Sequence, residues 1–246
     1  MSAIRRCCGP FVNGPSACEK GGESVEGLLL AVDTSTRLAG IALYDGVAVR
    51  GELTWESARH HTVELAPRTV MLLRSLGAAA GDLTGLAVAL GPGSFTGLRI
   101  GLALVKGLAL ARGIPVVGIP TLEITAYAQP HRSMPLYAVL QAGRGRIAVG
   151  RYRWRRGAWR ATGDPFLSTW EKLIEQVEEK AFFSGELDAA GVALLRERLG
   201  GGAVIAPPAS RLRRAGYLAE LAWQRLERGE QDDPTTLVPI YLHEPV

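Results

Sequence analysis

The sequence is poor in cysteine and has no long uninterrupted apolar segment. Its 246 residues include only three cysteines, Cys7, Cys8 and Cys18, all of them near the N-terminus. Neither a disulfide framework nor a cysteine metal site can therefore hold the rest of the chain together. So low a cysteine content is typical of proteins in a reducing compartment, and we expect a cytoplasmic protein.

No segment has the composition of a membrane span or of a secretion signal. The most apolar run, IGLALVKGLALA, is interrupted by Lys106, and it is shorter than the roughly 20 residues that a spanning helix needs. Residues 1–27 include two arginines but no apolar core of signal-peptide length. We expect residues 1–27 to be a disordered extension, and we expect no membrane partner.

The chain is mildly basic, with a formal net charge of +4. Basic residues cluster in one stretch only, RYRWRRGAWR (Arg151 to Arg160). Aromatic residues between arginines suit a nucleic-acid contact, but the alternation favours an exposed pair of strands. The charge is therefore weak evidence for contact with RNA.

Hydrophobic periodicity predicts the order of secondary structure in the first half of the chain. Three short antiparallel strands follow Leu28, with Asp45-Gly46 as a two-residue hairpin turn between the second and the third. The predicted elements that come next are a helix (Val63 to Leu76), a strand (Leu86 to Leu90), a helix (Thr96 to Arg112), a strand (Pro115 to Gly118) and a short helix (Leu122 to Ala128).

The same succession of elements recurs after Pro130, and its last helix is predicted over Leu212 to Arg228. The repeat favours an α/β protein of two tandem ribonuclease-H-like domains, residues 28–130 and 131–246. In each, parallel strands extend three antiparallel strands and helices flank the sheet. We expect the last helix to pack back on the first domain.

The glycine-rich segment GPGSFTG begins at Gly91, between a predicted strand and a predicted helix. It lacks the lysine of a Walker loop, because Leu98 follows its last glycine, and Thr96 stands where a dinucleotide loop needs a third glycine. A helix N-terminus after such a turn can still bind an anion. Alternatively, glycine supplies a positive φ, and Ser94 or Thr96 caps the helix. The sequence leaves both interpretations open.

A second polar segment, DTST (Asp33 to Thr36), ends the first predicted strand. In a kinase-like fold this is where phosphate and a hydrated Mg²⁺ are held. The same side chains also form turns by bonding to their own backbone. The weak candidates for cofactor binding are Asp33, Ser35, Thr36, Gly93 and Ser94.

The helix after GPGSFTG carries small residues at intervals of four, Ala103, Gly107 and Ala111, beside Leu104 and Leu108. Such a strip allows a second helix to approach closely. We predict that these residues form a helical interface. Its partner lies either in the same domain or in another chain.

No catalytic constellation is evident in the sequence. His60 and His61 are adjacent, so a helix cannot direct both at one metal, and His61 with Glu64 gives only half of a site. His131 and His243 lie in unrelated contexts. A serine at a glycine elbow, a cysteine–histidine pair and a close pair of carboxylates are likewise missing.

Several segments together resemble the TsaB (YeaZ) family of bacterial proteins of tRNA threonylcarbamoyladenosine biosynthesis. They are LLLAVDTST, ARHHTVELAP, GLAVALGPGSFTGLRIGLALVKGLALARGIPVVGIPTLE, AVLQAGRGRIAVGRY and PIYL. GPGSFTGLRIG is the most specific of them, and the resemblance spans about Leu28 to Leu242. It implies the actin-like/sugar-kinase/Hsp70 superfamily of tandem ribonuclease-H-like domains.

The resemblance implies a non-catalytic dimerisation subunit rather than an enzyme. Such a subunit pairs with a TsaD-like catalytic subunit, which transfers threonylcarbamoyl to N6 of the adenosine beside the tRNA anticodon. A TsaE-like ATPase joins through the complex, and tRNA is contacted indirectly. ATP and metal then belong to the partner subunits, and a homodimer is possible in isolation.

The sequence departs from the related enzyme and from the family at two places. The metal-binding histidine pair of TsaD aligns with Thr121 and Thr125, whose hydroxyls do not hold a transition metal with useful affinity. The D-A-R-x-G turn usual in the family is replaced by QAGRG (Gln141 to Gly145), which lacks the carboxylate.

The opposing hypothesis is an enzyme, either a superfamily phosphotransferase that uses DTST and GPGSFTG or a metalloprotease-like protein.

Overall fold

The chain folds around two β-sheets, each flanked by helices. The computed structural model describes residues 27–57 and 61–242. The strands in these ranges are β1 (Leu28–Asp33), β2 (Leu38–Tyr44), β3 (Val49–Glu56), β4 (Leu83–Gly91), β5 (Val116–Pro120), β6 (Leu136–Gln141), β7 (Ile147–Arg155), β8 (Ala158–Ala161), β9 (Phe166–Ser168), β10 (Ala181–Gly185) and β11 (Ala203–Ile205). The α-helices are α1 (His61–Ser75), α2 (Phe95–Arg112), α3 (Thr121–Tyr127), α4 (Trp170–Glu175), α5 (Ala189–Leu199), α6 (Pro208–Arg211) and α7 (Ala215–Glu227).

The two sheets have the same internal order of strands. The first has the order β3-β2-β1-β4-β5, and the second, read in the matching direction, has the order β8-β7-β6-β10-β11. In the first sheet β1 pairs antiparallel with β2 and parallel with β4, and in the second β6 pairs in the same two ways with β7 and β10. The chain is therefore a mixed α/β protein with two sheets. Its elements follow the predicted order in the first half, and in the second half β9 and α6 are added to that order.

Local features differ from the prediction for identifiable reasons. The loop between β2 and β3 has four residues, 45–48, rather than two. The Asp45 carboxylate shapes it by accepting hydrogen bonds from the N–H groups of Val47 and Ala48 at 2.9 and 2.7 Å. The last helix begins at Ala215 rather than Leu212, because Arg214 has an extended backbone with φ −111° and ψ 135°. An additional strand, β9, pairs with β7.

The last helix packs on the first sheet, although it follows the second sheet in sequence. Leu218 and Trp223 of α7 share a buried cluster with Leu29 of β1. The segment after α7 continues along the same half, where the N–H of Ile240 donates to the carbonyl of Leu90 at 2.7 Å. The C-terminal part of the chain thus completes the core of the first half.

Some sequence predictions concern residues outside the described ranges. These are the extension (all but residue 27 of it), His60 and His243. Within residues 27–57 and 61–242, no helix is long and apolar enough to cross a membrane.

Candidate functional site

A buried ion pair joins the end of β1 to the segment before α7. The Asp33 carboxylate accepts a hydrogen bond from Arg213 Nε at 2.5 Å, and the exposed fractions are only 4% for Asp33 and 2% for Arg213. Burial alone would lower the pKa of the Arg213 guanidinium, but the charges of Asp33 and Glu186 outweigh it and raise that pKa. The guanidinium therefore stays charged and neutralises Asp33.

Arg213 also connects the two halves of the molecule. Its Nη1 donates to Glu186 Oε1 at 3.0 Å, and its Nη2 donates to the Thr36 hydroxyl at 2.8 Å and to the Leu38 carbonyl at 3.1 Å. The Thr36 hydroxyl in turn donates to Glu186 Oε1 at 2.5 Å. Because Glu186 follows β10 and Thr36 follows β1, one guanidinium fixes the end of a strand in each sheet to the other.

Sequence reasoning missed both Arg213 and Glu186. Arg213 lies 180 positions from Asp33, and Glu186 lies 150 positions from Thr36, so no local motif unites them. The helix predicted over Leu212 to Arg228 included Arg213, whereas in the structure α7 begins two residues after it, at Ala215.

The DTST segment does not present a free carboxylate to a metal. Asp33 Oδ1 accepts hydrogen bonds from the N–H of Ser35 at 2.9 Å and from its hydroxyl at 2.5 Å, while Oδ2 accepts from Arg213. A hydrated Mg²⁺ requires oxygen ligands, usually carboxylates, and a guanidinium on the same carboxylate repels a cation. The residues at this position therefore do not fit nucleotide-bound Mg²⁺.

GPGSFTG packs directly on DTST. The Thr34 hydroxyl donates to the Gly97 carbonyl at 2.7 Å, and the N–H of Ser94 donates to the Ser35 carbonyl at 2.6 Å. A Cβ on Gly97 would lie 2.2 Å from the Thr34 carbonyl oxygen, and one on Gly93 would lie 2.0 Å from that of Ser35. Ser94 also caps α2, because its hydroxyl accepts from the N–H of Gly97 at 3.2 Å. The geometry thus favours close packing and capping over an open anion cradle.

The two polar segments border a cleft of about 1010 Å³ between the two halves. Thr36, Gly93 and Ser94 line the cleft, whereas Asp33 and Ser35 are buried and do not line it. The candidates for cofactor binding are thus brought close together, but the only carboxylate among them is withdrawn from the cleft.

The QAGRG turn lines the opposite side of the cleft. The Gln141 side chain donates to the Glu186 carbonyl at 2.9 Å, and the Gln141 N–H donates to Glu186 Oε2 at 3.1 Å. Gly143, Arg144 and Gly145 all have positive φ, of 71°, 53° and 72°. Gln141 therefore extends the Arg213 network, and Arg144 is left exposed at the cleft.

Thr121 and Thr125 are buried in α3, and their hydroxyls are engaged within the fold. Thr121 Oγ1 accepts from the N–H of Gly91 at 3.0 Å, and Thr125 Oγ1 donates to the Thr121 carbonyl at 3.1 Å. In the described ranges, no group of three His, Cys, Asp or Glu side chains is arranged to hold a metal ion. Thr121 thus links the GPGSFTG turn to α3, and Thr125 bonds within the helix.

His61 is buried at the first residue of α1. Burial lowers the pKa of its imidazole by more than the charges of Glu64 and Asp33 raise it. Glu64 accepts a hydrogen bond from Trp55 Nε1 at 3.1 Å and pairs with Arg68 at 3.6 Å. The imidazole is therefore neutral at pH 7, and its acidic neighbour is engaged elsewhere.

The predicted interface residues lie on the outer side of α2. Ala103, Gly107 and Ala111 are exposed, while Leu104 and Leu108 are half-buried against the core of the first half. A Cβ on Gly107 would meet no atom within 4 Å. The small strip therefore has no partner within its own domain among the described residues.

Large apolar side chains are exposed on α1 and α2, which pack side by side. Phe95 and Leu110 of α2 are 53% and 61% exposed, and Val63, Val70 and Met71 of α1 are 67%, 44% and 54% exposed. We call these five residues and the strip the α1/α2 face. Exposed apolar surface on adjacent helices is typical of a protein–protein interaction site.

The fold and the site together define an α/β protein built from two similar halves. Its two sheets have the same strand order and a cleft lies between them, and Arg213 neutralises the Asp33 carboxylate at the end of the first strand. A family model described as TsaD, tRNA N6-adenosine threonylcarbamoyltransferase, matches residues 52–246.

Individual relatives narrow this class to a family. The tRNA threonylcarbamoyladenosine biosynthesis protein TsaB of Bacillus subtilis is 30% identical, covering 87% of this chain and 93% of that protein. TsaB of Haemophilus influenzae is also 30% identical, covering 89% and 94%. The solved YeaZ from Pseudomonas aeruginosa is 28% identical with a TM-score of 0.71, covering 88% of this chain and 100% of that one. The chain belongs to the TsaB (YeaZ) family of tRNA threonylcarbamoyladenosine biosynthesis proteins, which confirms the resemblance seen in the sequence.

Proposed function

We propose that this chain is a non-catalytic scaffold, or dimerisation, subunit of the complex that adds threonylcarbamoyl to N6 of the adenosine beside the tRNA anticodon. It pairs with a TsaD-like catalytic subunit through the α1/α2 face. The observation that carries this proposal is the exposure of Ala103, Gly107 and Ala111 among exposed apolar side chains. Small residues let two helices approach closely, and the larger side chains around them supply apolar area to bury.

The proposal includes a division of labour within a cytoplasmic complex. ATP and metal are held by the partner subunits and not by this chain. A TsaE-like ATPase joins through the complex, and the catalytic subunit holds the reacting nucleotide of the tRNA. In isolation, the same face pairs two copies of this chain.

The proposed architecture is two tandem ribonuclease-H-like domains of the actin-like/sugar-kinase/Hsp70 superfamily, divided near residue 130. The repeated strand order supports it. The packing of α7 on the first sheet supports a C-terminal domain, 131–246, whose last helix returns to the first domain.

An enzymatic role, as a phosphotransferase or a metalloprotease-like protein, is the alternative. The contacts of Asp33 with Arg213 and Ser35 argue against a phosphotransferase, which needs that carboxylate for Mg²⁺. The internal hydrogen bonds of Thr121 and Thr125 argue against a metal at the position of the TsaD histidines.

The pairing is tested by enlarging the strip. Gly107→Leu and Ala103→Leu hold two helices apart, and overpacking of about 1–3 kcal/mol corresponds to a roughly tenfold to hundredfold loss of affinity for the catalytic subunit. Ala193→Leu, at an exposed position of α5, is the matched control. Circular dichroism and melting verify folding, and calorimetric titration with the catalytic subunit of the same organism measures affinity. Unchanged affinity in well-folded strip variants, or equal losses in the control, contradicts the proposal.

A further inference from the structure

One surface outside the cleft and the α1/α2 face carries concentrated positive charge. Residues 151–160, which span the β7–β8 turn, contain five arginines and no acidic residue. Since the whole chain has a net charge of only +4, the rest of it is slightly acidic. We call residues 151–160 the arginine hairpin.

The aromatic residues of the arginine hairpin are engaged within the protein. Tyr152 and Trp159 are buried, and Trp154 packs edge-on against Trp159 with ring centroids 5.5 Å apart. Trp154 also contacts the ring of His131 at 5.0 Å. All three aromatic residues belong to the core of the second half or pack against it. The strand-pair interpretation of the alternation is therefore right, and the arginines are what the hairpin offers to a partner.

The arginines are only partly neutralised by the protein itself. Arg153 and Arg160 are directly paired across the two strands, an arrangement of like charges that destabilises a strand pair. Arg153 forms an ion pair with Glu179, and Arg160 lies within the electrostatic reach of Glu123.

Arg151 donates to the Thr162 hydroxyl at 3.0 Å, and the tip of the hairpin holds two further arginines without a counter-charge. Arg155 and Arg156 are exposed, and neither forms an ion pair with another residue in the described ranges. Arg156 and Gly157 both have positive φ, of 51° and 78°. That is the pattern of a type I′ turn, whose first central position favours Asn, Asp or Gly. An arginine there carries a conformational cost, so the charge at the tip does not serve folding.

We propose that the arginine hairpin binds the phosphate backbone of RNA, so that this chain contacts tRNA directly as well as through the catalytic subunit. The identity of the anion as RNA rests on the proposed function. Guanidinium groups are suited to bidentate contacts with phosphate. Because the aromatic rings are packed in the core, they do not stack on bases. The hairpin therefore recognises the charge of the phosphates and not the base sequence.

The test removes the charge of the tip without disturbing the turn. Arg155→Gln with Arg156→Asn removes two charges and places the favoured Asn-Gly sequence in the turn. Arg196→Gln with Arg198→Gln, at exposed positions of α5, removes the same charge elsewhere in the same half. Fluorescence anisotropy of a labelled tRNA transcript is followed from low to moderate salt. It is measured with this chain alone and with its pair with the catalytic subunit.

The hairpin variant is expected to bind tRNA about tenfold more weakly at low salt and to lower the slope of log affinity against log salt by about one per arginine removed. The α5 variant keeps the wild-type slope, and both variants keep their affinity for the catalytic subunit. Equal losses in both variants, an unchanged slope in the hairpin variant, or loss of subunit pairing in it overturns the proposal. If the wild-type chain does not pair with the catalytic subunit, the proposed function fails, but the titration of the chain alone still decides the RNA contact.

Discussion

Arg213 Nε lies 2.5 Å from the Asp33 carboxylate, at the strand end where a kinase-like protein holds hydrated Mg²⁺. Both oxygens of this carboxylate already accept hydrogen bonds, Oδ1 from Ser35 and Oδ2 from Arg213, and the guanidinium repels a divalent cation. The same guanidinium reaches Glu186 in the second half at 3.0 Å. A position suited to cofactor chemistry thus forms a structural link between the two halves.

The first prediction concerns the strength of this link. Arg213→Met leaves the Asp33 and Glu186 carboxylates without their common cation, and removing one partner of a buried pair costs about 3–5 kcal/mol. Arg37→Met is the matched control, because Arg37 and its ion-pair partner Glu56 are both exposed, at 74% and 72%. Its loss costs about 1 kcal/mol or less. Urea unfolding measures the free energy of unfolding of both variants. An equal loss of stability in the two would show that Arg213 does not link the two halves.

The second prediction separates two glycines of α2. Gly97→Ala places a Cβ 2.2 Å from the Thr34 carbonyl oxygen and should destabilise the fold by about 1–3 kcal/mol. Gly107→Ala meets no atom within 4 Å and should stabilise the helix by up to about 1 kcal/mol. Thermal unfolding distinguishes them. Stabilisation by both substitutions would mean that GPGSFTG does not pack on DTST.

The third prediction concerns nucleotide. Since Arg213 occupies the Asp33 carboxylate, calorimetric titration of the isolated chain with ATP and Mg²⁺ should show no saturable binding at millimolar nucleotide. Micromolar affinity that is lost in Asp33→Ala would make DTST a cofactor site and revive the phosphotransferase hypothesis.

The fourth prediction follows from the lowered pKa of His61. In the unfolded chain this imidazole has its ordinary pKa of about 6.5, so below that pH the unfolded state binds more protons than the folded state. The contribution of neutral His61 to stability is therefore complete above about pH 6.5 and is lost as the pH falls. We expect the free energy of unfolding to fall less between pH 7 and pH 5 in His61→Gln than in the wild type. Urea unfolding at each pH measures both proteins, and an equal fall in both would show that the buried imidazole of His61 makes no such contribution.

Much of the fold was predictable because it depends on local patterns. The succession of strands and helices along the chain follows from hydrophobic periodicity and turn residues. The interval of four between Ala103, Gly107 and Ala111 correctly predicted that they lie on one side of a helix. Which side faces solvent was not predictable, because small residues are equally compatible with burial and with an interface.

The candidate site was less predictable because its decisive contacts are non-local. DTST and GPGSFTG were both found, but the role of Asp33 depends on an arginine 180 residues away. The glycines of GPGSFTG were compatible both with an anion-binding site and with close backbone packing. Only the structure, which places the Thr34 and Ser35 carbonyls against them, distinguishes the two interpretations. The four-residue loop after β2 was missed because the side-chain bonds of Asp45 compete with a tighter turn.

Threonylcarbamoylation of a tRNA transcript by purified subunits measures whether this chain contributes an interface and no chemistry. The chain alone should modify no tRNA and should hold no stoichiometric metal by elemental analysis, and its addition should activate the catalytic subunit. Gly107→Leu should require about tenfold to hundredfold more protein for half-maximal activation, yet reach the wild-type maximal rate at saturation. Modification by the chain alone, or a Gly107→Leu complex that is fully assembled but inactive, would contradict the account.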